Sequence, residues 1–401
     1  MDKQEKLNLL NQVFSPSAPI QSKDLFRGRI QQLSDITDAI LEPGQHVVLY
    51  GERGVGKTSL ANIMNITFQS VLSAKVTCNR RQNFKDVWEA ALGKIRFEYS
   101  REGIGFQAVE KKQIVQLDLF LPKDLQEISS QDVQNVLEKV SNYLLFIFDE
   151  FDSITDDETK VRFADVIKSL SDNAANVTIL IVGIADSVNE LIGEHPSLER
   201  CIKQVRMPRM SDEELTLIIT KGLDLLSMKI DSEVTHKIVR LSLGFPHFTH
   251  LLAKYSAKAA LEEGKARIVE EHFEKAINDC ILNVNQTVRD SYQKATITSK
   301  GESKFEDVIG ACSLAKTDEY ETFATNDLIE PFHQLTGDRV SRESLTYYLS
   351  RLCNEERDHL LEKVGASSNI RYRFKYPLMK SYVRLKLSQR GKLSGETLGL
   401  I

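Results

Sequence analysis

His46-Val-Val-Leu-Tyr-Gly-Glu-Arg-Gly-Val-Gly-Lys-Thr58 is the stretch that decides the fold. Its apolar start is typical of a buried β-strand, and Gly51-x-x-x-x-Gly56-Lys57-Thr58 then satisfies the pattern of a phosphate-binding loop. The glycines allow the backbone N–H groups to point at an anion. Lys57 can reach β- and γ-phosphates, and the Thr58 hydroxyl can ligate Mg²⁺. The apolar-patterned segment that follows predicts a helix whose N-terminus adds its dipole to the site.

Length and composition predict a soluble globular protein of two or three domains. The chain has 401 residues and a net charge of −5, so any nucleic-acid surface must be local. No apolar run approaches the ~18 residues that a membrane span needs, and the N-terminus lacks the apolar core of a secretion signal. We therefore expect a cytoplasmic protein without a membrane partner. The five cysteines and eight histidines form no zinc or redox motif.

Alternating strand and helix signals follow the opening motif. Because the inner strands are nearly all apolar, we predict a parallel sheet with helices on both faces. The segment 98–130 is irregular and is interpreted as an insertion. The predicted strands are 46–50, 74–78, 144–148, 177–183 and about 203–206.

Four segments are predicted along the chain. Residues 1–24 form a tail or linker, 25–210 the α/β domain, 211–292 an all-helical domain and 296–401 a third domain. In the last domain three helices precede two extended pieces, which is the order of a winged helix. The predicted elements there are 302–315, 325–335, 341–353, 359–364 and 370–375.

A second motif stands at the end of the strand 144–148. There the run Leu144-Leu-Phe-Ile-Phe148 is followed by Asp149 and Glu150, the Walker B pattern. We expect Asp149 to hold the Mg²⁺ shell and Glu150 to orient or deprotonate the attacking water. Asp152 is expected to make structural contacts.

With both motifs the chain resembles the AAA+ ATPases, within them the clade of origin-recognition proteins, helicase loaders and STAND ATPases. The resemblance implies an α/β P-loop AAA+ parallel sheet with a helical lid, followed by a winged-helix domain, and ATP and Mg²⁺ as cofactors. It also implies a set of nucleotide-contacting residues in the loop, in the Arg-Gly-Arg-like segment and in the lid. These are Gly51, Glu52, Arg53, Gly54, Val55, Gly56, Lys57, Thr58, Ser59, Phe26, Arg27, Pro246 and His247.

Further catalytic positions follow from the same resemblance. Asp186 takes the sensor-1 position, where an Asn or Thr is usual, and Asn79 the position that restrains the catalytic Glu. His247 replaces the usual sensor-2 Arg; packing of His247 between helices is the alternative. Arg200 matches the arginine finger, which would complete the site of a neighbouring subunit. Arg206 and Arg209 are the next candidates for this role, and the alternative is that Arg200 is a surface residue that caps a helix or pairs with Glu199.

The third domain carries a local positive charge. Residues 339–392 hold 13 Lys or Arg against five Asp or Glu, a net charge of +8. A positive face of this kind can bind the phosphates of duplex DNA. The helix 341–353 would then be the recognition helix, and the hairpin would be the wing. The predicted contacts are Arg339, Arg342, Arg351, Arg371, Arg373 and Lys375. The alternatives are docking of a protein partner and a basic face that is merely solvated.

Three functions are compatible with these features. The first is a Mg²⁺-dependent ATPase, fast or slow and switch-like, whose nucleotide-driven self-association acts on DNA in replication initiation, transposition or mobile-element control. The second is a STAND-like signalling or defence ATPase that assembles an unidentified protein effector without DNA. The third, a small-molecule kinase, is disfavoured by the Walker B Asp-Glu pair, the finger-like segment and the lid.

Overall fold

The computed structural model describes most of the chain. The described residues are 3–16, 18–20, 28–68, 71–101, 111–122, 126–173, 175–193, 198–297, 304–318, 320–365 and 370–393. The chain folds into two compact units, one of Pro19–Pro208 and one of Met1–Ala18 with Arg209–Ile401. The division into four predicted segments stays a prediction.

Helices and strands alternate in the first half of the chain, and helices dominate the second half. In chain order the helices are α1 (Lys3–Val13), α2 (Ile30–Leu41), α3 (Lys57–Thr67), α4 (Phe84–Leu92), α5 (Ser130–Leu137), α6 (Asp157–Asp172), α7 (Asn189–Ile192), α8 (Asp212–Leu225), α9 (Ser232–Ser242), α10 (Pro246–Glu262), α11 (Glu270–Asn283), α12 (Gln286–Thr296), α13 (Phe305–Leu314), α14 (Ile329–Thr336), α15 (Arg342–Leu352) and α16 (Met379–Gln389). The strands are β1 (His46–Gly51), β2 (Leu72–Thr77), β3 (Arg96–Arg101), β4 (Lys111–Gln116), β5 (Leu144–Asp149), β6 (Val177–Ile184), β7 (Ile202–Arg206), β8 (Lys229–Ile230), β9 (Arg267–Ile268), β10 (Leu361–Val364) and β11 (Arg371–Phe374).

The unit Pro19–Pro208 is built on a five-stranded parallel sheet of order β2-β5-β6-β1-β7. This confirms the predicted parallel sheet and its five strands. All six residues of β5 are buried, as a strand covered on both faces requires. The register pairs Thr77 with Asp149, so β2 and β5 end together at the edge where the phosphate loop leaves β1.

An aromatic cluster fixes the helices on one face of β5. Trp88 of α4 is fully buried, and its ring centroid lies 5.3 Å from Phe146, 5.2 Å from Phe148 and 5.6 Å from Phe163 of α6. Such ring pairs add to the free energy of area burial. The cluster therefore anchors the strand that carries Asp149.

The predicted irregular insertion contains regular structure. β3 and β4 pair antiparallel, with Arg96 opposite Gln116 and Arg101 opposite Lys111. Phe97 of β3 is buried, and the side-chain amide of Gln116 donates to the Gly93 carbonyl at 2.8 Å. The expectation of an irregular segment over 98–130 was wrong in this part, because pairing of two charged strands leaves little apolar signal.

In the other unit, helices α8–α11 follow Arg209 as predicted. β8 and β9 are a two-residue parallel pair that the sequence did not indicate. The N-terminal helix α1 packs against α10, and the buried Phe14 fills space beside Gly222, where an added Cβ would lie 2.4 Å from its ring. No helix in the described part of the chain is long and apolar enough to cross a bilayer.

The C-terminal part of this unit has the predicted order of elements. α13, α14 and α15 precede the antiparallel hairpin β10–β11. A single bridge joins Phe323 to Tyr372 on the far side of the hairpin. α16 follows the hairpin and was not predicted; its buried residues include Tyr382, Val383 and Leu385.

Candidate nucleotide site

The phosphate loop has a backbone that only glycine adopts easily. Gly51, Gly54 and Gly56 have φ values of 145°, 90° and 100°. A Cβ on Gly51 would lie 2.5 Å from the Met207 carbonyl oxygen, which leaves no room for a side chain. Gly56 is the N-cap of α3, so the loop opens directly onto a helix N-terminus.

Lys57 is folded over this loop. Its Nζ donates to the carbonyl oxygens of Gly51 at 2.9 Å and Glu52 at 2.7 Å. Burial lowers the pKa of Lys57 to about 8, although Asp152 and Asp149 oppose the shift. An anion bound in the loop would favour the charged ammonium group.

Asp149 and Thr58 meet at the end of β5. The Thr58 hydroxyl donates to Asp149 Oδ1 at 3.3 Å, and Asp149 is 1% exposed. The other oxygen, Oδ2, lies 2.9 Å from Lys75 Nζ. The structure thus brings together the two predicted magnesium ligands and adds a cation that the sequence reasoning missed.

Asn79 and Glu150 come directly after Cys78 and Asp149, which are hydrogen-bonded to each other at the ends of the neighbouring strands β2 and β5. The Cys78 N–H donates to the Asp149 carbonyl at 2.7 Å, so the next residue of each strand emerges at the same edge. Glu150 is exposed and has a left-handed backbone with φ 56°. Asn79 Oδ1 accepts from the Arg81 N–H at 3.0 Å. Their catalytic roles stay predictions.

Asp152 and Asp186 lie at the end of β6. Asp152 Oδ1 accepts from the Ile184 N–H at 2.8 Å and so ties the Walker B segment to that strand. Asp186 is exposed, and its N–H donates to the Glu190 carboxylate at 3.1 Å. Sensing by Asp186 remains a prediction.

Arg29 is a second residue that the predicted site set omitted. It is 3% exposed, and its Nη2 donates to the carbonyl oxygen of Val55 in the phosphate loop at 3.0 Å. The second Arg of the Arg-Gly-Arg segment was the available signal. Phe26 and Arg27 lie outside the described residues.

The site fits a nucleotide with a metal ion held mainly by phosphates. In the described part of the chain no group of three or more His, Cys, Asp or Glu is arranged to hold a metal. One hydroxyl and one carboxylate oxygen, 3.3 Å apart, suit Mg²⁺, which commonly takes its other ligands from phosphates and water.

The three finger candidates differ in their surroundings. The Arg200 side chain is 70% exposed and pairs with Asp172 rather than with Glu199. Arg206 is exposed on the edge strand β7. Arg209 Nη1 lies 2.9 Å from Glu321 Oε1, and its guanidinium lies 4.5 Å from the Phe245 ring centroid. Arg200 and Arg206 are therefore the two that a neighbouring subunit could meet, and the finger role stays a prediction.

Pro246 and His247 belong to the other unit. Pro246 begins α10. His247 Nδ1 lies 2.8 Å from the Pro16 carbonyl oxygen, and burial lowers the pKa of its imidazole despite this contact. Within its unit, His247 is therefore packed among neighbouring segments, as the alternative interpretation expected. Nucleotide contact by Pro246 or His247 stays a prediction.

The predicted DNA-contacting side chains fall into two groups. Arg351, Arg371 and Arg373 form ion pairs with Glu356, Asp318 and Glu362 at 2.9, 3.1 and 3.2 Å. Arg339 and Arg342 are exposed at the start of α15, and Lys375 Nζ lies 5.7 Å from the Tyr376 ring centroid. Three of the six predicted DNA contacts are thus already paired with carboxylates of the same chain.

Comparisons with known proteins bear on the family and the fold of the chain. The model of the family described as nSTAND1, Novel STAND NTPase 1, matches residues 19–247. No curated protein sequence matches the chain.

Solved structures of similar fold include the Walker-type ATPase PABY2304 of Pyrococcus abyssi, with 14% identity, a TM-score of 0.53 and coverage of 93% of this chain and 99% of that one. The Aeropyrum pernix ORC1 protein in complex with DNA has 14% identity, a TM-score of 0.47 and coverage of 94% and 96%. The Thermotoga maritima RuvB branch migration motor has 16% identity, a TM-score of 0.43 and coverage of 92% and 97%. The Pyrococcus match and the family match confirm the predicted P-loop NTPase fold.

Proposed function

The chain belongs to the Novel STAND NTPase 1 family, and from this premise we propose that it is a Mg²⁺-dependent ATPase that works as a nucleotide-controlled switch. The observation that carries the proposal is that Lys57 is buried over the phosphate loop while the half-buried Thr58, at the start of the helix after that loop, donates to the buried Asp149. A glycine loop at positive φ, a lysine folded over it and a hydroxyl–carboxylate pair at the same place are the parts that binding of phosphates and Mg²⁺ requires.

The residues have distinct roles in this proposal. The loop N–H groups and Lys57 bind and orient the phosphates, while Thr58 and Asp149 hold the Mg²⁺ ion. That ion supplies neutralisation of phosphate charge. Glu150, exposed beside Asp149, orients or deprotonates the attacking water. Arg200 of a neighbouring subunit completes the site, so ATP favours self-association.

The proposed output is assembly with a separate protein effector. Three of the six basic side chains expected to contact DNA are already paired with carboxylates. Releasing them for phosphate contacts would require breaking those pairs. The winged-helix domain then serves as the part that changes its contacts when the nucleotide changes.

Action on duplex DNA is the second candidate function. It is favoured by the net charge of +8 over residues 339–392 and by the exposed Arg339 and Arg342 at the start of α15. Such a surface would bind phosphates with a strong dependence on salt.

Two substitutions test the ATPase assignment. Lys57→Ala should no longer bind a fluorescent ATP analogue, because the ammonium group that pairs with the phosphates is removed. Glu150→Gln should bind the analogue like the unchanged protein but hydrolyse ATP at least ~100-fold more slowly. Lys85→Ala removes a lysine of α4 that pairs with Glu89 and serves as the control. Unchanged binding in Lys57→Ala, or unchanged hydrolysis in Glu150→Gln, would contradict the proposal.

A further inference from the structure

Lys75 is a charged residue of the central sheet to which the proposed chemistry gives no role. It lies on β2 beside β5, and its side chain is 17% exposed. Its Nζ lies 2.9 Å from Asp149 Oδ2 and donates to Asn62 Oδ1 at 2.5 Å. A lysine so placed loses hydration, and here the carboxylate and the amide oxygen replace water.

The contacts of Lys75 connect three parts of the site. Asn62 lies on α3, the helix that also carries Thr58, and its Nδ2 donates to the Ile20 carbonyl at 3.3 Å. The Ile20 N–H in turn donates to Ser59 Oγ at 3.1 Å. Asp149 Oδ1 therefore accepts a hydrogen bond from Thr58, Oδ2 forms an ion pair with the Lys75 ammonium group, and both contacts lead to α3.

We propose that Lys75 is a positioning residue that orients the Asp149 carboxylate and acts as its internal counter-ion. The inference rests on the proposed function, because it takes Asp149 as a metal ligand. A divalent cation that binds Asp149 must share the carboxylate with an ammonium group, so metal binding without nucleotide is weak. The phosphates of a nucleotide bring the negative charge that offsets Lys75, and cation and nucleotide bind together.

Titration of the nucleotide-free protein with Mn²⁺, followed by electron paramagnetic resonance, measures this effect directly. Lys75→Met should bind Mn²⁺ at least ~5-fold more tightly, because one positive charge beside the ligand is gone. Lys75→Arg keeps the charge and should stay close to the unchanged protein. Lys85→Met removes a lysine of similar exposure, 20%, outside the site and should have no effect.

The outcomes separate this inference from the proposed function. Asp149→Asn should remove the Mn²⁺ binding; if it does not, the metal site itself is misassigned. If Asp149 is needed but folded Lys75→Met binds Mn²⁺ no more tightly than the unchanged protein, the counter-ion role is overturned. Lys75→Gln, which can still hydrogen-bond to Asn62, replaces Lys75→Met if melting curves show that the latter is unfolded. Failure of both to fold would make Lys75 a purely structural residue and would also overturn the inference.

Discussion

His46 is a buried histidine at the start of β1, the strand that feeds the phosphate loop. It is 1% exposed, and its Nδ1 accepts the Ile179 N–H at 3.0 Å. Burial lowers its pKa from 6.5 to about 4, so the native state keeps it neutral. Between these pH values the unfolded chain binds the additional proton. The contribution of neutral His46 to the free energy of unfolding is therefore fully present above pH 6.5, and it is lost progressively as the pH falls toward 4.

We expect His46 to account for ~3 kcal/mol of this acid sensitivity. His46→Asn keeps a hydrogen-bond acceptor but cannot be protonated in this range. Between pH 7 and pH 4.5 the melting temperature of the His46→Asn variant should fall clearly less than that of the wild-type protein. This holds even if the variant is less stable at pH 7. Equal losses in the two proteins would show that His46 is not buried as a neutral group.

Site residues could be predicted from the sequence where they belong to a contiguous motif, and not where their partners lie on distant elements. Gly51–Thr58 and Asp149–Glu150 are contiguous motifs, so the sequence was enough to indicate them. Lys75 was missed because its partners, Asn62 and Asp149, lie on two other elements. A lysine within an apolar strand shows only that something pairs with it, and the fold must supply the partner.

Among the elements, α16 and the segment that precedes α8 are held together by Glu321. Its carboxylate lies 2.9 Å from Arg209 Nη1 and 3.1 Å from Lys380 Nζ. Burial lowers the pKa of Lys380, and it lowers the pKa of Arg384 to about 10 while Glu321 opposes both shifts. Glu321 is thus an anion that compensates the charges of the buried Lys380 and of the half-buried Arg209 and Arg384.

Glu321→Gln should destabilise this unit by ~2–4 kcal/mol, because it removes the negative charge that faces those cations. Glu356→Gln is the matched control: it breaks the pair with Arg351 at 2.9 Å, but the Glu356 side chain is 69% exposed, so the loss should be below ~1 kcal/mol. Calorimetric melting of both variants measures the difference. Equal stability of the two variants would rule out the compensating role of Glu321.

Elements with strong apolar patterns were predicted well. β1, β5 and β6 are nearly all apolar and buried, and the predicted bounds agree with the structure to within one residue. The hairpin β3–β4, the short pair β8–β9 and α16 were missed. These elements are short, charged or stabilised by contacts with distant segments, and local periodicity does not report such contacts.

Across the whole molecule, each unit is organised around a different property. The unit Pro19–Pro208 carries the loop, the Walker B strand and the exposed Arg200. The other unit joins the N-terminal helix to the helical and C-terminal parts, with many of its basic side chains already paired. The sequence indicated the charge but not the pairing, because Asp318 and Glu362 come close to the arginines of β11 only in the fold.

If the proposed switch is correct, nucleotide binding alone drives this chain into an assembly. Mass photometry of Glu150→Gln with ATP and Mg²⁺, with and without duplex DNA, measures this assembly, and Lys57→Ala under the same conditions is the control. We expect Glu150→Gln to form a defined oligomer with ATP whether or not DNA is present, and Lys57→Ala to stay a monomer. A Glu150→Gln protein that stays monomeric with ATP would contradict the proposed switch, and so would assembly that requires DNA and weakens steeply with salt.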